Sequence, residues 1–177
     1  MERFTGGCLC GNLRIVATGR PKRVGLCHCL DCRKHHGALF YAAAVFAQDA
    51  VTITGEAQDY AGRHFCPRCG SSVFARTADE IEVHLGSLDA PDQLMPSYES
   101  WTVRREAWLP LFPLTRHERD RDTRADDPPP PRVADLKRPF GHPDRSPQCG
   151  GSSKPRHARC IHGAERVTQP VSVSRCE

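Results

Sequence analysis

The sequence predicts a mainly β domain with a modest core, followed by a disordered C-terminal tail. Short segments of alternating or apolar residues, separated by glycine-containing turns, indicate the β class. The composition changes after Ala125, because residues 126–177 hold nine of the 15 prolines and few large apolar side chains. Such a segment cannot bury enough apolar surface to offset the entropy lost on ordering. We therefore expect one domain over residues 4–121 and a Pro-rich tail over 126–177.

Several segments within the first 110 residues are predicted to be strands. Those with partial or clean alternation, or with β-branched side chains, are 12–17, 22–26, 51–54, 72–76 and 80–85. The most apolar run, residues 38–46, has the length of a buried strand, although its alanines are also compatible with a helix. Residues 57–61 are expected to form a hairpin with 51–54. Residues 98–110 are compatible with a short helix or with an irregular strap across the sheet, and their two tryptophans, Trp101 and Trp108, are expected in the core.

The cysteines provide the strongest functional signal in the chain. Seven of the ten lie before Gly70, in the groups Cys8-x-Cys10, Cys27-x-Cys29-x-x-Cys32 and Cys66-x-x-Cys69. Such close spacing suits chelation of a metal ion and makes poor loop-closing disulfides. A thiolate-rich set of ligands favours zinc. The three cysteines of the tail lack partner spacing and are assigned no role: Cys149, Cys160 and Cys176.

The seven thiols divide into a set of four and a set of three. Two pairs far apart in the sequence can form a closed four-ligand site, which is typical of structural zinc. The members of this set are Cys8, Cys10, Cys66 and Cys69. The other set has no fourth cysteine within the predicted domain, and three protein ligands with an open position are typical of catalytic zinc. Its members are Cys27, Cys29 and Cys32.

Two points are left open by the spacing. His35, His36 or His64 can supply a fourth ligand to the three-cysteine set, and the spacing does not decide which groups share a metal. Cys8 and Cys10, if they lie two residues apart on one strand, present their thiols on the same face. His28, which lies inside the three-cysteine set, is interpreted as a spacer that points away from the metal.

Composition indicates the cellular compartment of the protein and the classes of partner it is expected to bind. The N-terminal residues contain no apolar stretch of signal-peptide length, and no run approaches the roughly 18 apolar residues of a membrane span. Together with the metal-type cysteine spacing, this predicts a cytoplasmic, reducing environment and no membrane partner. The first 125 residues carry 16 basic and 15 acidic side chains. This near balance makes a nucleic-acid partner an unfavoured interpretation.

The motifs resemble those of the glutathione-dependent formaldehyde-activating enzyme family, which is also called the GFA/CENP-V domain. They are Gly6-Gly7-Cys8-Leu9-Cys10-Gly11, Cys27-His28-Cys29-x-x-Cys32-Arg33-Lys34, Phe65-Cys66-Pro67-Arg68-Cys69-Gly70 and Gly86-Ser87-Leu88-Asp89. The resemblance implies a β-rich, Mss4-like fold with two zinc ions. It further implies a structural zinc at the four-cysteine set, and a catalytic-type zinc at the three-cysteine set. The implied activity is that of a carbon–sulfur lyase that joins glutathione and formaldehyde into S-hydroxymethylglutathione.

The functional hypothesis is that the open zinc site takes a substrate thiol and holds it beside an aldehyde. Arg33, Lys34 or His35 are expected to attract the carboxylates of a glutathione-like thiol, on the basis of charge alone. Two alternatives belong to other classes. One is a non-enzymatic zinc module that binds protein or nucleic acid, and the other is a redox switch in which the three-cysteine set forms disulfides.

Overall fold

The computed structural model of the protein describes residues 1–121, so the predicted tail lies outside the described residues. The described residues form eleven short strands, one α-helix and three 3₁₀ turns. The strands are β1 (Arg3–Gly7), β2 (Arg14–Thr18), β3 (Arg23–Cys27), β4 (Tyr41–Ala47), β5 (Val51–Thr54), β6 (Gln58–Tyr60), β7 (Arg63–Phe65), β8 (Ser72–Arg76), β9 (Glu80–His84), β10 (Tyr98–Ser100) and β11 (Thr115–Arg116). The helix, α1 (Leu30–His36), connects β3 to β4. The prediction of a mainly β domain is confirmed.

The strands form two sheets. The small sheet has the order β1-β2-β5, and the large one has the order β11-β10-β3-β4-β9-β8-β7-β6. Neighbouring strands are antiparallel, except that β10 runs parallel to both β3 and β11. The late strands β10 and β11 therefore extend the large sheet at the edge beside β3, which ends at Cys27.

The core contains apolar side chains from both sheets. Phe4 and Ile15 of the small sheet belong to one buried cluster with Phe46 and Ile81 of the large sheet. The rings of Phe4 and Phe46 lie 5.9 Å apart between their centroids. Each such fully buried side chain stabilises the fold by about 1.5–3 kcal/mol relative to exposure.

The large sheet has a second, polar face. Side chains alternate along a strand, so the neighbours of a core residue point to the opposite side. In β3, Val24 belongs to the core, and Arg23 and Gly25 therefore face away from it. In β9, Val83 belongs to the core and Glu82 faces away. This second face carries the cavity described below.

The most regular sequence patterns correspond to observed strands. The five segments predicted from alternation coincide with β2, β3, β5, β8 and β9; two of them match at both ends, and the ends of the others shift by at most two residues. The apolar run at 38–46 contains β4, which lies between β3 and β9 in the large sheet. Residues 43–46 of this strand are all buried, so both of its faces are shielded from solvent, which explains why the run is apolar throughout. The helical alternative for this run is wrong.

The predicted hairpin between residues 51–54 and 57–61 is also wrong. β5 pairs with β2 in the small sheet, whereas β6 pairs with β7 in the large one. Gly55 follows β5 with φ 90°, and a Cβ there would lie 1.7 Å from the carbonyl oxygen of Asn12. The chain passes from one sheet to the other at this point instead of folding back on itself.

Residues 98–110 form an irregular strap rather than a helix. The segment consists of β10, the 3₁₀ turn Thr102–Arg104 and a turn over 106–109. The guanidinium group of Arg105 holds this turn by donating to the carbonyl oxygen of Leu109 at 3.1 Å, and also to that of Pro110. Trp108 is 69% exposed, so its predicted core position is wrong. Trp101 is only partly buried as well, and it lines a cavity.

Replacing Gly55 with Ala is expected to destabilise the domain much more than replacing Gly19 with Ala. Gly19 also has a left-handed φ of 79°, but a Cβ there would meet nothing within 4 Å. Its substitution therefore carries only the backbone cost of about 1–2 kcal/mol, whereas Gly55→Ala adds a clash with backbone. Urea unfolding followed by circular dichroism measures both variants. Equal losses would contradict the close approach of Gly55 to Asn12.

Candidate metal centres

Two similar turns carry the four-cysteine set. In the first turn, the amide of Cys8 donates to the carbonyl of Leu13 at 2.9 Å, and Gly11 closes the turn with φ 77°. In the second turn, the amide of Cys66 donates to the carbonyl of Ser71 at 3.0 Å, and Gly70 takes φ 71°. The expectation that Cys8 and Cys10 lie on one strand is wrong, because β1 ends at Gly7. The turn, not strand alternation, aims both thiols at the same point.

The four sulfur atoms have a spacing that suits one metal ion. The sulfurs of Cys8 and Cys10 lie 3.5 Å apart, and those of Cys10 and Cys66 lie 3.7 Å apart. All four, including that of Cys69, lie within 4.8 Å of one another. A tetrahedron with zinc–sulfur bonds of about 2.3 Å has edges of about 3.8 Å, whereas a disulfide requires about 2.05 Å. The cysteines are unpaired thiols, and their geometry fits a tetrahedral ion.

Ser71 connects the two turns. Its hydroxyl oxygen accepts from the amide of Leu9 at 3.1 Å and lies 3.3 Å from the sulfur of Cys69. This hydroxyl contact, together with backbone hydrogen bonds, lowers the pKa of Cys69 to about 5. A thiol with so low a pKa is a thiolate at neutral pH, which is the form that binds metal.

The three-cysteine set forms a second cluster at the start of α1. Cys27 ends β3, Cys29 caps the helix, and Cys32 lies in its first turn. The amide of Cys32 donates to the sulfur of Cys29 at 3.3 Å, and the three sulfurs lie within 4.8 Å of one another. Contact with Cys32 lowers the pKa of Cys27 to about 6, and the same contact raises the pKa of Cys32. The negative charge of the Cys27 thiolate disfavours ionisation of Cys32, and a bound cation removes this repulsion.

None of the histidines proposed as a fourth ligand joins this cluster in the described part of the chain. The ring of His35 is hydrogen-bonded to the hydroxyl of Ser72 at 2.8 Å. The His36 ring stacks on Tyr41, with ring centroids 4.8 Å apart. The His64 ring lies away from the cluster, stacked on Phe74.

His28 is a spacer, as its sequence position suggests. Its fully buried ring lies with Nε2 3.1 Å from a carboxylate oxygen of Glu99, which is also fully buried. Arg105 and Arg116 each approach the same carboxylate, at 3.2 Å and 3.0 Å. The backbone amide of His28 also donates to the carbonyl of Ser100 at 3.0 Å. These contacts anchor the three-cysteine loop to β10 and to the residues that follow it.

A cavity of about 360 Å³ opens beside the three-cysteine set. Its lining is mixed in charge and rich in aromatic groups. Besides the three cysteines, it includes Arg23, Tyr41, Arg63, Glu82, Tyr98 and Trp101.

The cations predicted to attract a carboxylate do not line this cavity. Arg33 instead donates to the carbonyl of Arg104 at 2.7 Å and pairs with Glu106. Lys34 is exposed, and His35 faces a different cavity. The arginines that do line it come from β3, from β7 and from the end of the described chain, so local sequence around the cysteines contained no signal for them.

The fold and the two clusters together define a small β protein with two cysteine groups that can each hold a metal ion. The chain belongs to the glutathione-dependent formaldehyde-activating enzyme family, whose sequence profile matches residues 3–104. This match confirms the family resemblance of the cysteine motifs. No curated protein matches the chain significantly. Among residues 1–121, no helix is long and apolar enough to cross a membrane.

Two histidines, partly buried His36 at the end of α1 and buried His84 on β9, make stability depend on pH. Burial lowers the pKa of His84 to about 3 and that of His36 to about 4. The same rings titrate near 6.5 in an unfolded chain, so the unfolded state binds more protons between these values. The contribution of these two histidines to stability is therefore fully present above about pH 6.5. It is lost as the pH falls towards 4, by at most about 1.4 kcal/mol per pH unit for each histidine.

The variant His84→Gln is expected to have a smaller loss of stability between pH 7 and pH 5.5 than the natural chain. The measurement is the free energy of unfolding in urea at several pH values. His117→Gln serves as the control, because it makes the same exchange at a partly exposed position away from His36 and His84. The interpretation fails if His84→Gln and the natural chain lose stability equally.

Proposed function

We propose that the protein is a zinc-dependent carbon–sulfur lyase that joins a glutathione-like thiol to formaldehyde or a related aldehyde. The observation that carries this proposal is the three-cysteine set, which opens onto a polar cavity and has no fourth protein donor within residues 1–121. Membership of the glutathione-dependent formaldehyde-activating enzyme family supports the same reaction class.

We assign the two clusters different roles on the basis of their surroundings. The four-cysteine set lies between two turns, supplies a full set of ligands and would hold a structural zinc. Cys27, Cys29 and Cys32 would hold the second zinc beside the cavity, and they are the groups we propose as catalytic. Both donor sets consist of cysteine sulfurs, which suit zinc better than hard cations such as magnesium or calcium.

The reaction is an addition that requires no oxidant or reductant. When bound, zinc favours the thiolate form of a substrate thiol. The substrate sulfur bonds to the carbonyl carbon, and the electron pair of the C=O π bond moves to oxygen. The proton released from the thiol ends on that oxygen, which gives an S-hydroxymethyl product. The contribution of the chain is to hold both reactants close together in a confined cavity.

The shape of the cavity supports the proposal that it positions the two reactants. The ring of Tyr98 fills the space beside Gly25, where an added Cβ would meet it at 2.2 Å. Tyr41 donates its hydroxyl to Glu82 at 2.5 Å, so the tyrosine and the carboxylate hold each other in place. The volume of about 360 Å³ is within the range of about 300–1,000 Å³ that is common for small-molecule sites.

We also propose residues 4–121 as the functional unit and the cytoplasm as its location. The seven cysteines of the described chain are free thiols, although several lie close together. Unpaired thiols persist in a reducing compartment, which is also where a thiol substrate is available in reduced form.

Replacing Cys29 with Ala is expected to remove half of the bound zinc and abolish adduct formation while the domain stays folded. Replacing Cys10 with Ala is the matched comparison, because it breaks the four-cysteine set and should lower the melting temperature strongly. Zinc content by mass spectrometry, thermal unfolding and an assay for the glutathione–formaldehyde adduct give the three readouts. Full zinc content and activity in Cys29→Ala would contradict the assignment of roles.

A further inference from the structure

Arg63 lies on the same sheet face as the three-cysteine cavity, but at the opposite end of it. The register places Arg63 next to Ala75, Ala75 next to Glu82, Glu82 next to Val45 and Val45 next to Arg23. Directly paired residues point to the same face of a sheet. The row therefore runs across five strands, from β7 to β3, and Arg63 lines the cavity together with the thiols.

The guanidinium of Arg63 has no carboxylate within 4.0 Å in the described part of the chain. It donates to the carbonyl of Ala61 at 3.3 Å. By contrast, Arg23 binds Glu80 through two hydrogen bonds, at 3.0 and 2.6 Å. The guanidinium of Arg121 lies 4.9 Å from the centroid of the Tyr98 ring.

The acidic group nearest to Arg63 along this row is already bound. Glu82, which lies two strands away from Arg63, accepts a hydrogen bond from the hydroxyl of Tyr41. The histidines close enough to feel the charge of Arg63, His35 and His36, have lowered pKa values and are neutral at pH 7. Glu82 and Asp120 also line the cavity, but neither pairs with the Arg63 guanidinium in the described residues, and a planar guanidinium is well suited to binding a carboxylate through two hydrogen bonds.

The separation across the sheet limits which thiols can use this group. Four steps between neighbouring strands, each of about 4.8 Å, place the backbones of Arg63 and Arg23 about 19 Å apart. Cys27 lies on the same strand as Arg23. Because Arg63 and the cysteines line the cavity from different strands, a thiol with a carboxylate several bonds away from its sulfur can contact both, whereas a thiol without a carboxylate has no group for Arg63 to bind.

We propose that Arg63 is a specificity-determining residue that binds the distal carboxylate of a peptide-length thiol. This inference rests on the proposed function, because it assumes that the sulfur of the ligand lies at the three-cysteine set. It replaces Arg33, Lys34 and His35 as the carboxylate-binding group.

Isothermal titration calorimetry on the zinc-loaded full chain tests the proposal with glutathione and with 2-mercaptoethanol, which has no carboxylate. Arg63→Gln is expected to weaken glutathione binding by about tenfold or more, which is the size of a lost charge-assisted hydrogen bond. The same variant should leave the affinity for 2-mercaptoethanol within about twofold. Arg63→Lys keeps the charge but loses the planar fork, and it should give an intermediate loss for glutathione.

Arg3→Gln is the matched control, because it removes the same charge from an exposed position on β1 of the small sheet. It should leave both affinities unchanged. Unchanged glutathione affinity in Arg63→Gln overturns the proposal while the proposed function stands. Equal weakening of both thiols also overturns it, because a structural effect then explains the loss. If the natural chain binds neither thiol, the proposed function fails and this inference fails with it.

Discussion

The sulfur atoms of Cys10 and Cys66 lie 3.7 Å apart although 56 residues separate them along the chain, and the rest of the fold depends on this contact. The first turn follows β1 of the small sheet, and the second lies between β7 and β8 of the large sheet. The four-cysteine set thus fastens one sheet to the other at the end of a small core. Closing such a loop costs entropy, and ligand–metal bonds formed only in the folded state offset that cost.

The three-cysteine set is placed by different contacts. Its loop leaves β3, and the chain that returns as β10 runs beside it. Buried Glu99 connects His28 to Arg105 and Arg116, so the loop is fixed by the last part of the described chain. One cluster therefore belongs to the junction of the sheets, while the other faces a cavity on the polar side of the large sheet. This separation allows one site to serve stability and the other to serve binding.

The cysteine groups and the regular strands could be predicted because their signals are local. Cys-x-x-Cys spacing and alternation are visible within a few residues, and the structure brings together the same two sets of thiols that the spacing suggests. Their roles as metal ligands stay a prediction. Helix α1 is not among the predicted elements, because its seven residues include two adjacent histidines and three charged side chains and form no apolar stripe. The cavity side chains, Arg63 and Glu82 among them, come together only through sheet register, which local patterns do not reveal. The exposed position of Trp108 depends on how Arg105 holds the following turn.

The central claim is that seven thiols serve two zinc ions, four closing one site and three leaving the other open. X-ray absorption spectroscopy at the zinc edge on the full chain counts the sulfur neighbours of zinc directly. The account predicts an average of about 3.5 sulfurs per zinc in the thiol-free protein and about 4 after glutathione is added. An average of about 4 before any thiol is added, with no change afterwards, would contradict it, because the second site would then already be closed by a protein donor.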